Sequence, residues 1–321
     1  MKKNKCISLL LSCCLAWLAT ASAKESTPAE KRQQLVSNVD TSLEGAQKYV
    51  LRVKGMPFYM TNIQVRLDLL RYSEGWDMEL CDKLMAQIAA DGFNTVSVPV
   101  HWYEVEPEKG KFDWTVLDSY LELVKKHGLK MEMLWFGANS GGHVQWLGRP
   151  GKNAVHLRTP DYVLYSSSPS SKETTSEFTI RRDMSDYTLD IADDRLRERE
   201  TYVLGKVMEH IAVWDMANGK QHPIIGVQIN NEFVGQRMAF PNSLAISYLN
   251  SVAGAVKQSD YVVWTRANCV FWNVNGRIYE NEAHRRSPEQ TNLDFVGIDT
   301  YRHHFPSDAS FIASMRNNLP Y

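Results

Sequence analysis

The stretch Ile224-Ile225-Gly226-Val227-Gln228-Ile229-Asn230-Asn231-Glu232-Phe233 decides the fold class of this 321-residue chain. Its apolar part is short, is rich in β-branched residues and ends abruptly in three polar residues. A continuous apolar run of this length is typical of a strand that is buried on both faces of a parallel sheet. In (β/α)8 barrels, chemistry takes place at the C-terminal ends of such strands. The stretch therefore predicts a buried strand that delivers a carboxylate, Glu232, to such a rim.

Strands and helices alternate along most of the remaining chain. We predict six strands, at 61–66, 95–100, 129–135, 224–230, 261–266 and 293–299, and helices at 77–90, 114–127, 194–214, 243–257 and 308–317. This alternation predicts an α/β fold with a parallel sheet. No Gly-rich phosphate-binding sequence is present, which favours a (β/α)8 TIM barrel over a doubly wound sheet. A barrel needs eight units, and we count about six, so we expect an N-terminal fragment of a longer protein.

The first 23 residues have the pattern of a secretory signal peptide. Three lysines among the first five residues precede an apolar segment from Ile7 to Leu18, and Ala21-Ser22-Ala23 is a small-x-small cleavage site. The apolar segment is too short for a membrane span. We therefore expect cleavage after Ala23 and an exported protein, periplasmic or extracellular. The alternative is a lipoprotein, with Leu10-Leu11-Ser12-Cys13 as its lipobox.

The rest of the chain predicts one large domain. Residues 24–45 are polar and predict a loose lead-in, and residues 46–321 hold the incomplete barrel. Its longest loop, 137–195, is rich in Gly, Pro and Ser, and a loop of this length in a compact domain is usually functional. Only Cys81 and Cys269 follow the signal, so we expect two buried thiols and no disulfide framework.

Composition and charge exclude several classes of function. The net charge is −1 and no segment carries a basic cluster, so we expect no nucleic-acid partner, since phosphate contacts dominate such binding. His303 and His304 are adjacent, and adjacent side chains diverge on an extended chain, so we do not expect them to share one ion. The sequence has neither a His-x-x-x-His helix nor a cysteine cluster, so no metal or other cofactor is predicted. Nine tryptophans fit either an aromatic-lined site or a packed core.

Two sequence motifs resemble those of clan A glycoside hydrolases, nearest to families 42 and 35, which are mostly β-galactosidases. The first runs from Asp91-Gly92-Phe93-Asn94 through a strand to His101-Trp102-Tyr103-Glu104-Val105-Glu106-Pro107, and continues with Gly110 and Phe112-Asp113-Trp114. It is similar to their second-strand signature of Trp, Glu-Pro and Gly-x-Phe-Asp. The second, residues 222–232, is similar to the fourth-strand motif of family 35. That motif has Glu-Asn-Glu where this chain has Asn230-Asn231-Glu232.

The resemblance, which spans roughly residues 50–320, implies a retaining glycoside hydrolase that cleaves β-linked sugars of an oligosaccharide or polysaccharide by double displacement. One carboxyl protonates the leaving oxygen and a second attacks the anomeric carbon. The resemblance implies that Glu232 is the acid/base and that Asn231 holds the sugar 2-hydroxyl. It also implies that the nucleophile is a Glu at the end of strand seven, beyond Tyr321, so this fragment by itself is expected to be inactive. The alternative for Glu232 is a helix cap or a surface ion pair.

Further candidate substrate-binding residues lie at or after the ends of other predicted strands: Arg66, His101, Trp102, Trp135, Asn139 and Tyr301. Arg66 could ligate sugar hydroxyls or pair with a catalytic carboxylate. Trp102 and Trp135 either stack on a pyranose or pack in the core. In clan A enzymes a Tyr near the end of strand six often hydrogen-bonds the nucleophile, which the resemblance implies for Tyr301; the alternative is a rim aromatic.

Two alternative functions stay open. The first is a non-catalytic carbohydrate-binding barrel, which the residue at the end of strand seven would distinguish from a hydrolase. The second is a hydrolase of β-mannosides or β-glucosides on the same fold, because the choice of sugar depends on the geometry of the rim.

Overall fold

A computed structural model describes residues 34–42, 49–72, 74–138, 159–164, 180–182, 187–189, 191–231, 242–270 and 292–299. All of these residues belong to one compact unit, Gln33–Tyr321. The strands are β1 Gln34–Leu35, β2 Ser37–Asp40, β3 Val50–Val53, β4 Met56–Pro57, β5 Asn62–Gln64, β6 Thr95–His101, β7 Lys130–Phe136, β8 Ile180–Arg182, β9 Tyr187–Leu189, β10 Ile224–Ile229, β11 Tyr261–Val262, β12 Trp264–Val270 and β13 Phe295–Asp299. The helices are α1 Leu67–Tyr72, α2 Met78–Ala90, α3 Trp102–Val105, α4 Thr115–Lys126, α5 Asp161–Leu164, α6 Asp194–Ala217 and α7 Asn242–Lys257.

Six parallel strands form the central sheet, in the order β5-β6-β7-β10-β12-β13. This order follows the chain without a reversal. A doubly wound sheet reverses its strand order at a switch point, whereas a barrel adds each new strand beside the last. The predicted parallel sheet and its barrel topology are therefore confirmed.

The inner strands are buried on both faces, as the apolar run of β10 predicts. Every residue of β6 and β10 is buried, and β7 is buried after its first residue. Helices α2, α4 and α6 place their apolar stripes in the same core. Strands covered by helices on one side and filled by side chains on the other are characteristic of the barrel architecture.

Helix boundaries agree with the capping residues in the sequence. The Asp77 side chain accepts a hydrogen bond of 2.9 Å from the Leu80 N–H and thereby caps α2. Asp193 does the same for α6, which runs three residues beyond the predicted end to Ala217. The helix predicted at 308–317 lies outside the described residues.

The predicted lead-in contains ordered strands. Within 24–45, β1 pairs in parallel with β11, and β2 pairs antiparallel with β3, which forms a tight hairpin with β4. Ser37 accepts a hydrogen bond of 3.1 Å from the Trp264 N–H and donates one to the Ile225 carbonyl. Polar composition hid this order because only Val36 and Ser37 are buried in it. The strand predicted at 261–266 is divided into β11, which pairs with β1, and β12, which belongs to the central sheet.

The long loop, 137–195, also contains regular structure. It includes α5 and an antiparallel hairpin of β8 and β9, and α6 begins at its end. Cys81 is a free, buried thiol, as predicted. In the described ranges, no helix has the length and apolar character needed to cross a membrane.

Candidate functional site

The candidate site lies at the C-terminal ends of the parallel strands, which share one edge of the sheet. His101 is the last residue of β6 and Phe136 the last of β7. Arg66 follows β5 by two residues, and Asn231 follows β10 by two residues. The first four strands of the sheet thus each contribute a side chain to the same edge, as the barrel topology requires.

Arg66, Asp68 and His101 form a charged network at the ends of the first two barrel strands. Asp68 accepts two hydrogen bonds from Arg66, of 2.8 and 2.7 Å, and one of 2.9 Å from His101 Nε2. Burial alone would raise the pKa of Asp68, but the hydrogen bonds from Arg66 and His101 hold that pKa well below its usual value. Asp68 is therefore an ionised carboxylate with no solvent exposure.

This network keeps the Arg66 charge at the edge of the sheet. Its side chain is 32% exposed, and its guanidinium carbon lies 5.7 Å from the centre of the Phe136 ring. Phe136 also meets the His101 ring edge-on at 5.0 Å. Arg66 has N–H groups beyond the two that bind Asp68, so it can donate to a sugar hydroxyl or to a carboxylate.

His101 has a supporting place in this network. It was predicted as a rim ligand, but its side chain is fully buried. Its Nε2 carries a hydrogen, because ionised Asp68 can only accept. His101 therefore holds Asp68, and through it Arg66, without reaching the solvent.

Trp102 and Trp135 lie in the core and not at the rim, which was the alternative for both. Trp102 Nε1 donates to Glu106 at 3.0 Å, and Trp135 Nε1 donates to Glu200 at 2.9 Å; both side chains are fully buried. Successive residues of β7 point alternately to the barrel interior and to the helices. The Trp135 ring is on the side of the helices, where it contacts Glu200 of α6. Trp102 is turned inward because α3 begins there.

Asn230 directly follows the fourth barrel strand, β10, and has the left-handed conformation, with φ of 56°. Asn is among the residues that tolerate this conformation best. Its side-chain Oδ1 accepts from the Gly137 N–H at 3.1 Å, and its Nδ2 donates to Glu200 at 2.9 Å. Asn230 is fully buried and joins the ends of β7 and β10.

Asn231 follows this turn and is held by two other amides. Its Oδ1 accepts from Asn268 Nδ2 at 3.1 Å and from Gln228 Nε2 at 3.4 Å. Both lone pairs of Oδ1 are thereby engaged, and its Nδ2 has no hydrogen-bond partner among the described residues. Asn231 can therefore donate to a ligand. Glu232, Asn139 and Tyr301 lie outside the described residues.

A polar cluster fills the barrel below this edge. Glu132 is buried and accepts hydrogen bonds from Ser97 and from Arg266 Nε, and Ser97 accepts one of 2.6 Å from Asn62. This cluster could not be predicted, because an isolated Glu in an apolar strand has no distinctive sequence pattern. Within the described part of the chain, no three His, Cys, Asp or Glu side chains are grouped so as to bind a metal ion.

Sequence comparisons relate the chain to β-galactosidases. The glycoside hydrolase family 42 model, described as Beta-galactosidase, matches residues 71–153, less than half of the chain. This range includes the second-strand motif. Beta-galactosidase Bga of Halorubrum lacusprofundi is 24% identical over 161 residues, which are 48% of this chain and 20% of that protein.

Comparison with solved structures finds glycoside-cleaving enzymes of similar fold. Endo-glycoceramidase II from Rhodococcus sp. has a TM-score of 0.51 at 14% identity, over 82% of this chain and 63% of that one. TsXylA, an intracellular xylanase from Thermoanaerobacterium saccharolyticum, has a TM-score of 0.51 at 17% identity, over 81% and 69%. The chain thus spans one fifth of its β-galactosidase relative and under two thirds of the glycoceramidase. The chain has the (β/α)8-barrel fold of these two proteins, and its residues 71–153 are similar in sequence to family 42 glycoside hydrolases.

Proposed function

We propose that this chain is part of an exported, retaining glycoside hydrolase of the β-galactosidase type. The observation that carries the proposal is the arrangement of Asn231. At the end of the fourth barrel strand, Gln228 and Asn268 hold its Oδ1 and leave its Nδ2 to donate. Glu232 follows it directly in the chain. An Asn with a free donor before a Glu, at this strand end, suits a 2-hydroxyl ligand beside an acid/base.

The proposed reaction is a double displacement. Glu232 first protonates the leaving oxygen, while a nucleophilic carboxylate from a later strand attacks the anomeric carbon. Glu232 then takes a proton from the water that hydrolyses the glycosyl-enzyme. Asn231 Nδ2 donates to the 2-hydroxyl, a contact that strengthens in the transition state.

Arg66 has a supporting part in this proposal. Held by Asp68 and Phe136, its guanidinium keeps a positive charge at the strand ends, where it can bind a hydroxyl or the nucleophile. Asn139 and Tyr301 are proposed as further substrate-binding residues on the ground of their sequence positions.

The test is the Glu232→Gln variant of the full-length protein, assayed on two aryl or alkyl β-galactosides. Hydrolysis of a methyl glycoside needs proton donation to the leaving group, whereas that of a dinitrophenyl glycoside does not. We expect kcat/KM to fall by at least about a hundredfold on the first substrate and far less on the second. Equal losses on both would contradict the acid role. Glu79→Gln, at a side chain that is 73% exposed, is the control and should change neither value.

The same assay separates the alternatives. A panel of aryl β-galactosides, β-mannosides and β-glucosides identifies the sugar by the highest kcat/KM. If the wild-type protein hydrolyses none of them but retains glycan binding, the non-catalytic barrel replaces the hydrolase as the proposed function.

Export is proposed from the signal-peptide pattern of residues 1–23. Determining the N-terminus of the mature protein tests it, since cleavage after Ala23 leaves Lys24 first. A mature chain that begins at a lipidated Cys13 would support the lipoprotein instead, and Cys13→Ala would then release it from the membrane. A chain that keeps Met1 would contradict export through this signal.

A further inference from the structure

Glu200 is a buried carboxylate that the proposed reaction does not use. It lies in the second turn of α6, on the outer side of the sheet, and has no solvent exposure. A buried carboxylate is costly unless hydrogen bonds compensate for the lost water. Its partners therefore indicate which part of the fold it stabilises.

Both oxygens of Glu200 accept two hydrogen bonds. Oε1 accepts from Trp135 Nε1 and Asn230 Nδ2, each at 2.9 Å. Oε2 accepts from the Ala138 N–H at 3.0 Å and from the Tyr248 hydroxyl at 2.6 Å. Burial raises the pKa of Glu200, while these donors act in the opposite direction. Burial is the larger effect, so the pKa of Glu200 lies above its usual value, although all four partners donate to its oxygens.

Gly137 shows how closely the strand end approaches this carboxylate. A Cβ at Gly137 would lie 2.6 Å from Trp135 Nε1 and closer still to the Glu200 carboxyl group. Gly137 also donates its N–H to Asn230 Oδ1. The backbone after β7 therefore packs directly on the Glu200–Asn230 pair.

Through these contacts, Glu200 joins three elements at the candidate site. Trp135 lies in β7 and Ala138 two residues beyond its end, Asn230 directly follows β10, and Tyr248 lies in α7. Asn230 is the residue whose left-handed turn precedes Asn231. Glu200 thus holds the side chain of the residue whose backbone turn leads directly into Asn231.

We propose that Glu200 is a positioning residue, which holds the Asn230 turn so that Asn231 Nδ2 donates to the 2-hydroxyl of the bound sugar. This inference rests on the role proposed above for Asn231. A purely structural role would stabilise the fold without favouring any one contact to the substrate. If Glu200 has a positioning role, the loss of kcat/KM on its substitution depends on whether the substrate has a 2-hydroxyl.

The test compares an aryl glycoside of the preferred sugar with its 2-deoxy counterpart, using the full-length protein. Asn231→Ala should lower kcat/KM on the 2-hydroxy substrate by about tenfold or more and have little effect on the 2-deoxy substrate. Glu200→Gln keeps the shape of the side chain but turns a donor towards two other donors. We expect it to show the same selectivity, mainly in kcat. The double variant should lose little more than either single variant, because both remove the same contact.

The outcomes separate this inference from the proposed function. If Asn231→Ala lowers kcat/KM by the same factor on both substrates, the role proposed for Asn231 fails. The positioning role alone is overturned if Asn231→Ala is selective but Glu200→Gln lowers kcat/KM by the same factor on both substrates. It is also overturned if the loss of kcat/KM in the double variant is the product of the losses in the two single variants.

Two further variants control for loss of folding. Tyr248→Phe removes one donor to Glu200 and should show the same selectivity to a smaller degree if Glu200→Gln does not fold. Glu104→Gln is the matched control, since Glu104 is also a buried carboxylate but contacts Tyr72, Arg71 and the His101 N–H. It should affect both substrates by the same factor. Selectivity in Glu104→Gln would overturn the assignment to Glu200.

Discussion

Asp68 and His101 lie thirty-three positions apart in the chain, yet their side chains share a hydrogen bond of 2.9 Å and neither is exposed to solvent. Arg66 completes this network with two further hydrogen bonds to the same carboxylate. The ends of the first two barrel strands are thus joined by a charge that cannot be neutralised without cost.

Asp68→Asn should therefore change both stability and its dependence on pH. Removing one member of a buried ion pair typically costs about 3–5 kcal/mol, so we expect a loss of roughly 3 kcal/mol at pH 7. The folded protein holds the pKa of Asp68 below the value of about 3.9 for an unfolded aspartate. Its stabilisation is thus fully present above that value and is lost as the pH falls below it.

Urea unfolding from pH 7 to pH 2.5 measures this effect. The wild-type unfolding free energy should fall more steeply below about pH 4 than that of Asp68→Asn. Asp194→Asn, at a side chain that is 70% exposed, is the control and should follow the wild type. Parallel pH curves for Asp68→Asn and the wild type would contradict the prediction.

Gly137→Ala should destabilise the fold, because its Cβ has no room beside Glu200 and Trp135. Overpacking of this kind typically costs about 1–3 kcal/mol. Gly205→Ala is a matched control in α6, where a Cβ meets nothing within 4 Å. That change should stabilise the helix by up to about 1 kcal/mol. Thermal unfolding measures both, and opposite shifts of Tm are expected; a neutral Gly137→Ala would show that the strand end can move away.

Two substitutions of Asn230 separate its backbone from its side chain. Asn230→Gly and Asn230→Ala both remove the amide that joins Gly137 to Glu200, but only Gly adopts a φ of 56° without strain. Asn230→Ala should therefore be less stable than Asn230→Gly by about 1–2 kcal/mol in denaturant unfolding. Equal stabilities would mean that the turn relaxes once the amide is removed.

Trp102→Phe tests whether this ring belongs to the core. It removes the Nε1–H that donates to buried Glu106, which leaves the carboxylate one hydrogen bond short. We expect a loss of about 1–3 kcal/mol in stability and an unchanged KM in the full-length protein. A raised KM with unchanged stability would place Trp102 against the substrate. Tyr59→Phe, at a ring that is 86% exposed, should change neither quantity.

The strands could be predicted from the sequence because the barrel buries them on both faces. The bounds of β6, β7 and β10 differ from the predicted ones by no more than one residue at each end. A fully buried strand leaves a continuous apolar run, and the polar residues that follow it mark its end. The same signal located Arg66 and Asn231 at the edge of the sheet, with His101 buried between the strand ends.

The buried carboxylates could not be predicted in this way. Glu200 lies in the segment Asp194-Arg195-Leu196-Arg197-Glu198-Arg199-Glu200, which has the composition of a solvated helical surface. Asp68 likewise follows Arg66 in a pattern common on exposed turns. A charged side chain can be buried only where distant segments supply hydrogen-bond donors, and the local sequence pattern does not show whether they do. To predict whether Trp102 and Trp135 lie in the core or at the rim, one must know to which side of the backbone each ring points. Apolar composition does not determine this direction.

The hydrogen bonds of Ser37 set a limit on the order in which the chain can fold during synthesis. Its hydroxyl group meets the Trp264 N–H, 227 positions later. Translation at about 5–20 residues per second separates the emergence of these two residues by roughly ten to fifty seconds. For most of that interval, β1 does not have β11 to pair with, and Ser37 has neither Ile225 nor Trp264 to bind. β2 can pair early with β3, whereas β1 gains its partner strand only after about 220 further residues have been made.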